Sequence, residues 1–165
     1  MLSEDASETN SYTLDPHTFM KENKSLCIYS IKGNSSFPVQ ITECAPLIFR
    51  KLREKFGVSH EIMLKAFSPC NNFQAIHNFD AGSGASGSFF LFTDNKAFVL
   101  KTLKPSEEKI LFGEDEILTT YFEHMMSDRE TLLSRFYGAI KVKLSMMNEP
   151  ISFIIMDSII NEDYM

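Results

Sequence analysis

The 165-residue sequence predicts an α+β fold, an antiparallel sheet with flanking helices. Three observations carry that expectation. Cys44–Phe56 places Ala45, Ile48, Phe49, Leu52 and Phe56 on one stripe at helical spacing. Two pairs of short apolar runs, Phe89–Phe92 with Phe98–Leu103 and Ile140–Met146 with Ile151–Met156, are each broken by turn residues and read as hairpins. Between the hairpins, Pro105 and Ser106 open a segment with helical character, Ile110, Leu111, Ile117, Leu118, Tyr121, Phe122 and Met125.

Composition bounds the classes. The chain is 44% hydrophobic with 15 Phe and 9 Met, enough to build one core, and its net charge of −6 argues against nucleic acid as a partner. Cys27, Cys44 and Cys70 are too scattered for a disulfide framework or a zinc site, so they read as reduced thiols of a cytoplasmic protein. No apolar run approaches membrane-span length, and the first residues are polar and acidic rather than signal-like.

Residues 1–24 are rich in Ser, Asp, Glu, Thr and Asn without a period, which predicts a disordered or loosely packed acidic tail ahead of a domain over 25–165. Leu26–Ile31 is a candidate strand. Lys32–Ser36 turns, and Phe37–Ile41 returns as an edge strand, because Pro38 lacks a ladder donor. Pro46 suits the first turn of the Cys44–Phe56 helix and Gly57 its stop. Its other face, Arg50, Lys51, Arg53 and Lys55, reads as solvated, with anionic lipid as the alternative. Ser59 caps a second helix that packs Ile62, Met63, Ala66 and Phe67, ended by Ser68 and Pro69.

Gly113–Asp115 interrupts the next helical stripe, predicting a kink or two helices. Ser127 and Glu130 have capping-box spacing for a short helix through Phe136. Ile140, Val142, Leu144 and Met146 then alternate with polar residues as a half-buried strand, and Asn148–Pro150 turns the chain into Ile151–Met156. His77 and His124 have no spaced partners and read as ordinary surface or core histidines, the methionines as core filler, and Glu162 and Asp163 as terminal charges rather than a metal site.

The chemistry-bearing stretch is Gly82–Leu103. A loop of glycine and serine, Gly82–Ser88, runs into the first hairpin, whose second strand carries Lys101 between Leu100 and Thr102. Small residues let backbone approach a ligand, and consecutive N–H groups cradle phosphate. Alternation puts Lys101 on the face of Val99 and Leu103, where an ammonium group needs a partner or a ligand. The plainer reading is a connector followed by a solvent-facing lysine, and local sequence leaves both open.

Six blocks in order resemble the N-terminal lobe of the phosphatidylinositol phosphate kinases. They are Glu43–Gly57, Gly84–Phe90, Phe98–Thr102, Ser106–Lys109, Thr131–Gly138 and Ile151–Met156, within a likeness that covers about Phe37 to Met156. The resemblance implies the small lobe of a lipid-kinase fold. It implies transfer of the ATP γ-phosphate to a phosphoinositide head group, with the protein peripheral to the cytosolic face of a membrane. Gly84, Ser86, Gly87 and Ser88 would cover the phosphates and Lys101 would contact them. Glu107 would hold Lys101, with Glu108 the second choice, and Phe153–Asp157 would approach adenine.

Three departures stand out. Ala85 replaces the family's loop lysine, Gly113–Asp115 is similar to an insertion, and the family's Asp-Leu-Lys-Gly-Ser segment is not reached by Met165. The resemblance therefore implies that the catalytic and magnesium-binding aspartates lie beyond residue 165, that no catalytic or metal-ligating residue stands within the chain, and that the chain alone is inactive. The competing expectation is a non-catalytic small lobe that serves as a binding or dimerisation module, such as a homodimer. A protein-kinase small lobe is disfavoured by the Glu43–Gly57 helix and the serine-rich loop.

Overall fold

A computed structural model describes residues 24–32, 35–73, 87–113, 117–127 and 130–159, the residues up to 37 by their backbone. Among them the elements run β1 (Lys24–Lys32), β2 (Ser35–Glu43), α1 (Pro46–Lys55), α2 (His60–Ala66), β3 (Phe90–Phe92), β4 (Phe98–Leu103), α3 (Pro105–Phe112), α4 (Ile117–Met126), β5 (Phe136–Leu144) and β6 (Ile151–Asp157). The expected acidic tail, up to residue 23, and the start of the glycine loop, Gly82–Ser86, lie outside the described residues.

The strands form one antiparallel sheet in the order β1-β2-β5-β6-β4-β3. The second hairpin thus inserts its returning strand, β6, beside β4, and Lys101 lies directly opposite Ile154. Ile154 and Ala139, cross-strand partners, are buried with Ile48, Phe49 and Leu52 of α1, Leu111 of α3, and Leu118, Tyr121 and Met125 of α4. That is one face of the sheet, and it carries the main core. Ile155, on the opposite face, joins a smaller cluster of Phe98, Tyr137 and Ala66 of α2. The ring of Tyr137 meets Phe98 edge to face at 5.2 Å, a favoured aromatic geometry.

α1 forms where the apolar stripe predicts. Ile48, Phe49 and Leu52 are each 0% exposed, Pro46 occupies the first turn, and Gly57 adopts φ +70° just past the end. Full burial of each such side chain contributes about 1.5–3 kcal/mol. α2 is capped as expected, the Ser59 hydroxyl accepting from the Ile62 N–H at 3.2 Å. The β3–β4 turn uses Lys96 at φ +52°, with the Lys96 N–H donating to the Thr93 carbonyl at 2.8 Å. The interruption at Gly113 separates two helices, α3 and α4.

Four expectations are corrected. β2 is an interior strand, paired with β1 and β5. Only its first residues have one neighbour, since the β5 ladder begins at Val39, one residue after Pro38. The local need of proline for an unpaired side is thus met without an edge strand. No helix runs from Ser127 to Phe136 among the described residues. The Ser127 hydroxyl donates back to the His124 carbonyl, and β5 begins at Phe136. Tertiary contacts decide this: the Tyr121 ring stacks on Phe136 at 4.7 Å, while its hydroxyl donates to the Ser134 carbonyl and accepts from the Phe136 N–H. Burial pushes the Tyr121 phenol up to about 12. Arg53 leaves the solvated face of α1, its guanidinium donating to the Tyr137 carbonyl. Ile62, expected to pack, is 44% exposed.

Candidate functional site

β4 runs without a break into α3, and the turn between them builds the site. Lys101 shares its face of β4 with Val99 and Leu103, beneath the helices, as alternation predicts. Its Nζ donates to Glu107 Oε1 at 2.9 Å. The other carboxylate oxygen, Oε2, accepts from the Lys104 N–H at 2.8 Å, which satisfies one of the otherwise unpartnered donors at the start of α3. Glu107 is therefore held by the backbone on one side and by the ammonium on the other. The Lys104 N–H, and then the Lys101 ammonium, hold its carboxyl below the usual glutamate range. The Lys101 side chain is 18% exposed and that of Glu107 39%, so the pair sits at the rim of the sheet and in reach of a solute.

The end of the glycine loop lies beside this pair. Phe89 donates its N–H to Thr102 Oγ1 at 2.9 Å and accepts from the Thr102 N–H at 3.0 Å. The next pair along the ladder is Phe90 with Lys101. Ser88 is buried, at 1% exposure. Gly87 takes φ +69°, the left-handed region, and a Cβ built there meets nothing within 4 Å. The requirement at Gly87 is thus conformational, and the space beside its backbone is open. Gly87 and Ser88 lie three and two residues ahead of Phe90, where β3 begins. Gly84 and Ser86 fall among residues outside those described.

Sequence reasoning named Glu107 first and Glu108 second as the partner of Lys101, and the structure pairs Lys101 with Glu107. Glu108 is used elsewhere. It accepts from the Lys141 ammonium on β5 through Oε1 and from the Ser152 hydroxyl on β6 through Oε2. Burial would raise the Glu108 carboxyl, but the Lys141 and Ser152 hydrogen bonds outweigh it and hold the group below its usual range. This cluster escaped sequence reasoning, although one signal was present. Lys141 sits in an alternating, half-buried strand as Lys101 does. Beside it an open cavity of about 340 Å³ is lined by Cys44, Pro105, Glu108, Lys109, Phe112, Gly113 and Lys141. Burial pushes the Cys44 thiol above its ordinary range.

The far end of β6 was expected near a base-binding hinge, and it is firmly tied. The Tyr137 hydroxyl donates to Asp157 Oδ1 at 2.6 Å, the Asp157 N–H to the Arg135 carbonyl at 3.0 Å, and the Ser158 N–H to the Ala97 carbonyl at 3.2 Å. Burial, then the donated bond to Asp157, raises the Tyr137 phenol. His124 meets Thr131 Oγ1 at 2.9 Å, an ordinary tie between α4 and the segment that follows. A roomier cavity of about 560 Å³ is lined by Lys55, Phe56, Met125, Ser127, Glu130, Thr131 and Arg135, and shares no residue with the Lys101 pair.

An antiparallel sheet with a strand lysine paired to a glutamate in the first turn of the next helix, and the end of a small-residue loop alongside, is the small lobe of a lipid-kinase fold. The family model for phosphatidylinositol-4-phosphate 5-kinase matches residues 72–165. Over 151 residues the chain is 32% identical to phosphatidylinositol 4-phosphate 5-kinase its3 of Schizosaccharomyces pombe, covering 88% of this chain and 19% of that protein. Over 121 residues it is 36% identical to phosphatidylinositol 4-phosphate 5-kinase 4 of Arabidopsis thaliana, covering 72% of this chain and 14% of that one. A probable phosphatidylinositol phosphate kinase of Dictyostelium discoideum is 29% identical over 133 residues, 80% of this chain and 18% of its own length. The chain belongs to the phosphatidylinositol-4-phosphate 5-kinase family, and it spans about a fifth or less of the length of these relatives.

Proposed function

We propose that this chain is the ATP-binding part of a phosphatidylinositol phosphate kinase, an enzyme that moves the γ-phosphoryl group of ATP to a phosphoinositide head group at a membrane surface. The observation that carries the reading is the Lys101–Glu107 pair at 2.9 Å beside the end of the glycine loop. Phosphoryl transfer leaves little covalent chemistry to the protein, so positioned positive charge is the main requirement. The Lys101 ammonium, kept in place by Glu107, supplies that charge to the phosphates. Backbone at Gly87 approaches them closely, because no side chain stands in the way. Gly84, Ser86 and Ser88 complete the cover in this reading, and β6 from Phe153 to Asp157 sits beside adenine.

The fit to a nucleotide phosphate is therefore good on the lysine side. Magnesium is different: among the described residues no three His, Cys, Asp or Glu side chains stand together to hold an ion. No helix among the described residues is long and apolar enough to cross a membrane, and the proposed contact with lipid is peripheral. The test is calorimetric titration of the full chain with ATP. Binding is expected, and Lys101→Met should weaken it by tenfold or more with the fold intact. Equal affinity in the two proteins would remove Lys101 from the site.

A further inference from the structure

α3 is a short helix with little to hold it by apolar packing. Among its residues Leu111 alone is buried, Phe112 is partly packed, and Ile110 is 53% exposed. One buried leucine contributes only about 1.5–3 kcal/mol, too little to fix an eight-residue helix in position and rotation about its axis. Yet the Lys101–Glu107 pair depends on that rotation, because a turn of α3 by a few tens of degrees would carry the Glu107 carboxylate away from the sheet.

The missing constraint stands one residue along. Ser152 on β6 is the cross-strand partner of both Leu103 on β4 and Lys141 on β5, and all three lie on the face beneath α3. Lys101, Ile154 and Ala139 form the parallel row two residues away on the same face. Successive helix residues point about 100° apart, so Glu107 and Glu108 reach two different rows of the sheet. Glu107 takes the row of Lys101 and Glu108 the row of Ser152 and Lys141. The second contact is well sheltered. Ser152 is 5% exposed, and the side chains of Glu108 and Lys141 are 27% and 31% exposed. A buried hydroxyl and a half-buried lysine each lose a partner if Glu108 turns away, which penalises any other setting of the helix.

We propose that Glu108, Lys141 and Ser152 form a brace that sets the rotation of α3 and so positions Glu107 on Lys101. These three are positioning residues. They act on phosphate binding through the neighbouring pair, and in that respect the inference rests on the proposed function. The brace itself does not depend on ATP.

The experiment follows the Glu107 carboxyl carbon by NMR through an acid titration of the full chain, with Glu107→Gln for assignment. Lys101→Met gives the midpoint of a Glu107 that has lost its ammonium partner. Lys141→Met and Ser152→Ala should each move the Glu107 midpoint upward toward that value, although neither residue touches Glu107, and Lys141→Arg should restore it. Ser152→Ala removes a single hydrogen bond from a folded sheet, which keeps the test open if the charge variant fails to fold. A Glu107 midpoint unmoved in Lys141→Met and Ser152→Ala, with only thermal stability lowered, overturns the brace. ATP titration of the same variants separates the two ideas. Wild-type chain that fails to bind ATP removes the proposed function, and the carboxyl titration still decides the brace. Wild-type chain that binds should lose threefold or more in affinity with either substitution, and full affinity in both would again overturn it.

Discussion

α1 and α3 lie on the same face of the same sheet and are held there by different physics. α1 buries Ile48, Phe49 and Leu52 completely against Ala139, Ile154 and α4, and adds a polar tie, from Arg53 to the Tyr137 carbonyl. α3 buries Leu111 and otherwise meets the sheet through two carboxylates, Glu107 on Lys101 and Glu108 on Lys141 and Ser152. Apolar packing is non-directional and indifferent to pH, so it makes a good platform. Ion pairs are directional and respond to protons and salt, so they make a good aligning device and a weaker glue. The comparison divides the molecule into a platform at α1 and α4 and an adjustable, charge-set segment at α3.

Breaking the platform should cost the most. Phe49→Ala removes a fully buried ring and leaves a cavity in the main core, an expected loss of about 3–5 kcal/mol in urea unfolding. A loss under 1 kcal/mol would mean that α1 is not the platform. Lys141→Met should cost far less global stability and yet disturb the site at Glu107, the reverse of Phe49→Ala.

Acid sharpens the contrast further. The Glu107 and Glu108 carboxyls are both held below the ordinary glutamate range in the folded chain. A group depressed by folding contributes stability that is present above its unfolded value and is lost as pH falls through its folded value. The α3 contacts should therefore loosen on acidification below the ordinary glutamate range. Amide hydrogen-exchange protection of residues 105–112 should be lost at a higher pH than that of residues 46–55. Simultaneous loss in both helices would mean that α3 has no separate electrostatic attachment.

Much of this was legible in the sequence, and the parts that were not share a cause. The α1 stripe, the Ser59 cap, the β3–β4 turn and the facing of Lys101 are local patterns, and local patterns sufficed. Glu107 lies six residues from Lys101, and its pairing follows from a strand that feeds directly into a helix. Glu108 lies 33 residues from Lys141 and 44 from Ser152, and only the insertion of β6 beside β4 brings them together. The segment after Ser127 was misread for the same reason. Its capping-box spacing is real, but Tyr121 on α4 claims Ser134 and Phe136 for the sheet. Pro38 signalled an unpaired side correctly and an edge strand wrongly, because a ladder may start one residue later.

The most direct test of the Lys101 assignment is the response of its ammonium nitrogen to ATP, read by NMR in the full chain with the Gly87 amide as a second probe. Saturating ATP should shift both resonances together, and Lys101→Met should abolish the Gly87 response. If ATP leaves both unmoved and shifts residues around Lys55 and Arg135 instead, the nucleotide lies in the other cavity and the assignment is contradicted.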